Sequence, residues 1–180
     1  MQLMLERSSI FRLVRTGLFA ALGLLAIFIE AAPVGLHGSA LPSPDLLLCV
    51  VAFWVLRRPG STPVLLVFAL GLCRDLLTDA PLGAGTLGLV IAAQMLTERR
   101  GWIGTRPFLV EWLAVGLAIV FALALQWVLV VLTLGHPPYL RELLLMAGLT
   151  FAAYPFVALV FRWILGINWR QGDGRMRRSL

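Results

Sequence analysis

Six apolar segments, running roughly Thr16–Ala32, Leu41–Leu56, Pro63–Thr78, Leu82–Leu96, Phe108–Leu134 and Leu143–Ile167, take up most of the chain. Runs of about 17 to 25 apolar residues are what a helix needs to cross a bilayer. Their recurrence restricts the fold to a helical membrane bundle before any single residue is weighed. Prolines, glycines and arginines punctuate the segments. Only 13% of the residues are charged and 60% are hydrophobic, against about a quarter and roughly 45–50% in a soluble domain. No stretch between segments is long enough to fold by itself. The chain reads as one all-α, polytopic membrane domain over residues 1–180, with a basic cytoplasmic tail at 168–180.

The net charge of +6 comes from fifteen arginines and no lysine. A nucleic-acid surface would need those charges gathered in one patch, whereas here they sit in short loops, so no nucleic acid is expected. With six crossings, Arg7, Arg12, Arg15, the Arg57-Arg58 pair, Arg99, Arg100, Arg106 and the tail from Arg170 onward fall on one side. The opposite loops hold Arg141 alone, and Arg74 and Arg162 lie inside segments. The positive-inside rule then puts both termini in the cytoplasm. Leu41–Leu56 is the weakest segment, since it contains Pro42 and Pro44. Removing it would scramble the arginine bias, which argues that it crosses. Gly17 to Ile29 has the length of a signal-peptide core, but Glu30-Ala31-Ala32-Pro33 is a poor cleavage site, so a retained first helix is expected.

At about 1.5 Å per residue the four shorter segments reach only about 22–26 Å, less than a ~30 Å hydrocarbon core. They call for local thinning or shelter inside the bundle. Tyr154-Pro155 marks a kink in the sixth segment, because proline removes a backbone donor. Trp54, Trp102, Trp112, Trp163 and Trp169 fall near the inner boundary, where indole rings are favoured. Cys49 and Cys73 have no metal-type spacing and read as free packing thiols. The outer loops carry His37, His136 and Pro137-Pro138-Tyr139, with no recognisable catalytic grouping. The glycines at 83, 85 and 88 are oddly spaced for a phosphate loop. No catalytic, metal or cofactor site is expected.

Charges within a bilayer cost at least a few kcal/mol each and normally face a bundle interior. Glu30, Asp45, Arg74, Asp75, Asp79 and Gln126 come from four segments and share the outer half of the predicted bundle. Adjacent helical residues point about 100° apart, so Arg74 and Asp75 do not form a self-contained pair, while Asp75 and Asp79 share a face and repel. The expectation is an interhelical network in which Arg74 reaches Glu30 or Asp45. Ser43-Pro44-Asp45 also reads as a helix start. Ala114, Ala118 and Ala122 form a small-residue stripe leading to Gln126, and Gly17 and Ala21 form another.

The order Pro44-Asp45-Leu46, then Gly71-Leu72-x-x-Asp75, then Pro81-Leu82-Gly83 resembles the MreD family of bacterial rod-shape-determining membrane proteins. Length, hydropathy and arginine-rich inner loops fit over essentially the whole chain. The resemblance implies a non-enzymatic inner-membrane scaffold of the cell-elongation machinery, supporting peptidoglycan synthesis. Its implied partners are MreC, RodA with its penicillin-binding transpeptidase, the MreB filament indirectly, and membrane lipid. It also implies a fold similar to the membrane substrate-binding subunit of energy-coupling-factor transporters. That likeness supplies the alternative, a small-molecule-binding membrane subunit of a transporter.

Overall fold

A computed structural model describes residues 2–31, 43–78, 81–133 and 139–165. They form six α-helices: α1 (Gln2–Ala31), α2 (Leu46–Arg57), α3 (Val64–Leu77), α4 (Ala84–Ile103), α5 (Phe108–Leu132) and α6 (Leu140–Leu165), with a 3-10 turn at Pro59–Ser61. No strand occurs among the described residues. Each helix overlaps one predicted apolar segment, though the second starts only at Leu46, with residues 43–45 outside the helix and Leu41 and Pro42 outside the described residues. The first extends well before Thr16, and the fourth runs on through the Arg99-Arg100 pair. Asp79, His37, His136, Trp169 and the basic tail lie outside the described residues.

Three stretches are long and apolar enough to cross a membrane: Arg12–Ala31, Phe108–Leu132 and Leu140–Trp163. Of the shorter helices, α2 gains shelter from its neighbours. α2 has 12 residues, about 18 Å of helix. It is apolar all round, and Leu47 to Val55 are buried without interruption, as a helix with no polar face requires. α2 packs on α1, α4 and α6, and α4 in turn packs on α3 and α5. The outer helices turn leucine, valine and phenylalanine outward: Phe28, Leu117, Leu159 and Phe156 are all more than half exposed. A surface this apolar suits acyl chains rather than water.

Close helix approach rests on small residues. Ala118 and Ala122 of α5 are buried, and a Cβ on Gly88 of α4 would lie 2.8 Å from the Ala122 carbonyl oxygen. The second predicted stripe is not an interface within this chain. Gly17 has open space around it and Ala21 is exposed.

Pro155 sits inside α6, which is helical on both sides of it. Lacking an N–H, Pro155 leaves the Phe151 carbonyl without its helical donor. The Trp112 indole of α5 supplies one, with Nε1 donating to the Phe151 oxygen at 2.9 Å. The same two rings stack with centroids 4.4 Å apart. A defect in one helix thereby becomes a specific tie to the next.

The tryptophans do not form a single belt. Trp102 and Trp163 are exposed, as the interface reading requires, but Trp54 is 2% exposed. It packs between Phe19 and Phe161, ring centroids 5.8 and 6.3 Å away. The centre of the bundle has claimed Trp54 because α2 offers no lipid-facing side. Cys49 is buried, Cys73 is half-buried, and both are free thiols.

Candidate functional site

Every α-helix begins with backbone N–H groups that have no partner within the helix. Water cannot serve them in an apolar bundle, so the chain must. At the start of α2, Asp45 folds back and its Oδ1 accepts from the Leu48 N–H at 2.8 Å. Glu30 at the end of α1 accepts from the Leu47 N–H at 2.8 Å. The Asp45 N–H itself donates to Thr150 Oγ1 of α6 at 2.9 Å. Side chains from three helices therefore close one helix start, and two carboxylates sit at the positive end of its dipole.

Two carboxylates so placed need a cation, and α3 provides it. Arg74 Nη1 donates to Asp45 Oδ2 at 2.6 Å. Asp75 is next in sequence, but its Oδ1 lies 3.6 Å from Arg74 Nη2, an ion pair too long for a hydrogen bond. The other Asp75 oxygen has a separate task. Oδ2 accepts from the Gly83 N–H at 3.1 Å, the Thr86 N–H at 3.0 Å and the Thr86 hydroxyl at 2.8 Å. Asp75 thus closes the start of α4 as Glu30 and Asp45 close the start of α2.

The glycines here have definite reasons. Gly83 caps α4 with φ of +91°, a conformation that favours glycine. A Cβ on Gly71 would lie 3.1 Å from the Thr86 Cα, so the bare backbone lets α3 and α4 touch. Gly85 faces the Arg74 guanidinium and the Asp75 carboxylate, and a side chain would displace both.

Of the predicted residues, Glu30, Asp45, Arg74 and Asp75 come together. The expected recipient of Arg74 was Glu30 or Asp45, and it is Asp45. Asp79 is outside the described residues. Gln126 is half-buried on α5 and has no hydrogen bond to the cluster among the described residues, so α5 reaches this end of the bundle through packing. Thr150 and Thr86 were not anticipated, because a lone threonine in an apolar run gives little signal.

A second polar knot was also missed. At the opposite end of α2, Arg57 Nη2 donates to Glu111 Oε2 at 2.6 Å, and the Tyr154 hydroxyl donates to Glu111 Oε1 at 2.8 Å. Glu111 is 2% exposed. Its signal was present: a single carboxylate in the first turn of a very apolar helix is expected to have a buried partner. In the sequence Arg57 reads only as part of the arginine bias between loops. Both ends of the buried α2 are therefore held by ion pairs, to α3 at one end and α5 at the other.

The family model of the rod shape-determining protein MreD matches residues 11–165. The chain belongs to the MreD family. No curated protein and no solved structure matches it. Membership in MreD points to a part in rod-shape determination, and with the long apolar helices it points to a membrane protein. The MreD match takes in every residue of the cluster. The three motifs that carry the resemblance meet in space: Asp45 opens α2, Gly71 and Asp75 face the start of α4, and Gly83 opens it.

Proposed function

We propose that this MreD-family chain is a non-enzymatic inner-membrane scaffold of the cell-elongation machinery. It crosses the membrane six times with both termini cytoplasmic, binds MreC, and supports peptidoglycan synthesis alongside RodA, its penicillin-binding transpeptidase and, indirectly, MreB. The observation that carries this reading, beyond family membership, is how the buried polar groups are spent. Asp45, Arg74 and Asp75 are 4%, 7% and 1% exposed, and they are engaged in closing helix starts and balancing one another. A transporter subunit would need such groups turned toward an open cavity for its ligand. They serve a framework instead, which suits a protein whose product is a shaped surface.

An Asp75→Ala strain tests the proposal. Loss of rod shape together with loss of MreC from the purified complex, at unchanged membrane abundance, is the expected result. Normal shape with MreC still bound would contradict the role given to the cluster. Reporter fusions test the crossings: a tag after Leu180 should be cytoplasmic, and one beside Arg141 should lie outside.

A further inference from the structure

The turn between α4 and α5 and the last turns of α6 border an open surface cavity of about 350 Å³, lined by Thr105, Arg106, Pro107, Phe108 and Arg162. Two arginines, Arg106 and Arg162, border this one space, both exposed, and no acidic residue shares the lining. Among the described residues neither Arg106 nor Arg162 makes an ion pair, in contrast to Arg57 and Arg74, each 2.6 Å from a carboxylate oxygen. Two like charges around one space repel, and an anion seated between them turns that repulsion into attraction. Arg106 is also held in place, its guanidinium carbon 5.2 Å from the centre of the Trp102 ring, a cation–π distance.

The surroundings say what kind of anion fits. Trp102 and Trp163 are 59% and 87% exposed, and exposed indoles beside arginines match the headgroup layer of a bilayer. Leu109 and Leu159, on the two helices that border the cavity, are exposed apolar side chains that suit acyl chains. Phe108 gives the cavity an apolar wall. Guanidinium forks match phosphate oxygens, and basic pockets between membrane helices on the cytoplasmic side suit acidic headgroups. We propose that this cavity binds the headgroup phosphate of an anionic phospholipid, with the acyl chains lying along α5 and α6.

Native mass spectrometry of the full chain in detergent, titrated with phosphatidylglycerol and with phosphatidylcholine, tests the proposal. The wild type should retain phosphatidylglycerol preferentially. R106Q/R162Q should lose that preference by about thirtyfold, the effect of removing two arginines that each contribute near a membrane surface. R99Q/R100Q removes the same charge from the same rim without touching the cavity and should keep most of the preference. Equal losses in the two double variants would overturn the site, since diffuse surface charge would then explain the binding. Displacement of the lipid by low-millimolar inorganic phosphate would also overturn it, because the acyl chains would then contribute nothing. If R106Q/R162Q does not fold, the single variants R106Q and R162Q take its place. A preference within twofold of wild type in both would overturn the proposal.

Discussion

Arg74 of α3 meets Asp45, the residue that opens α2, with 2.6 Å between Nη1 and Oδ2. One oxygen of Asp45 faces the cation and the other accepts from the Leu48 amide. Asp45 therefore joins the folding of one helix to the position of another. Asp45→Ala removes both functions and leaves Arg74 buried without its hydrogen-bonded carboxylate. Breaking a buried pair from one side costs about 3–5 kcal/mol. Asp45→Asn keeps an oxygen for the Leu48 amide and should lose less. Unfolding in mixed detergent should rank the variants wild type, then Asn, then Ala.

Asp75 acts on α4 through three hydrogen bonds to one oxygen. Asp75→Ala should raise amide hydrogen exchange at Gly83 and Thr86 at least tenfold, while α5 amides beyond its first turn change little. Uniform acceleration across the bundle would show that Asp75 holds the whole fold rather than one helix start.

The Trp112–Phe151 bond exists because Pro155 frees a carbonyl, so the two residues should be energetically coupled. Trp112→Phe alone should cost about 1–2 kcal/mol, as expected when a part-buried acceptor loses its donor. In a Pro155→Ala background the backbone N–H of residue 155 can serve the same carbonyl, and the cost should fall to about half or less. A double-mutant cycle on unfolding free energies reads the difference. Additive effects would contradict the coupling.

Glycine positions separate contact from open space. Gly88→Ala drives a methyl group against the Ala122 carbonyl and should cost about 1–3 kcal/mol, the range for overpacking. Gly17→Ala meets nothing within 4 Å and should be neutral or stabilising by up to about 1 kcal/mol. Thermal unfolding of the two variants side by side checks both signs.

Much of the fold was legible because apolar length and proline–glycine breaks are local signals. A helix formed in each of the six segments, and the shortest helix, α2, found the shelter its length demanded. The meeting of Glu30, Asp45, Arg74 and Asp75 was also legible, since charges in an apolar chain must find one another. Four things were hidden. Asp75 binding the start of α4 depends on how α3 and α4 cross, which periodicity does not specify. Gln126 shares a predicted depth with the cluster but makes no hydrogen bond to it among the described residues, and depth alone does not reveal that. Glu111 is obscured by the leucines and valines around it, although its isolation is the clue to Arg57 and Tyr154. Trp54 went astray for a related reason: a helix buried on all sides has no interface end for an indole to occupy.

The central claim is that this MreD-family bundle is a partner-binding scaffold whose buried charges maintain its shape. Its most direct test is affinity purification of the tagged full-length chain from native membranes in mild detergent, with mass spectrometry of both protein and small-molecule fractions. Near-stoichiometric MreC from the wild type and no retained small metabolite is the expected result. Recovery of a tightly held small molecule with no MreC would contradict it.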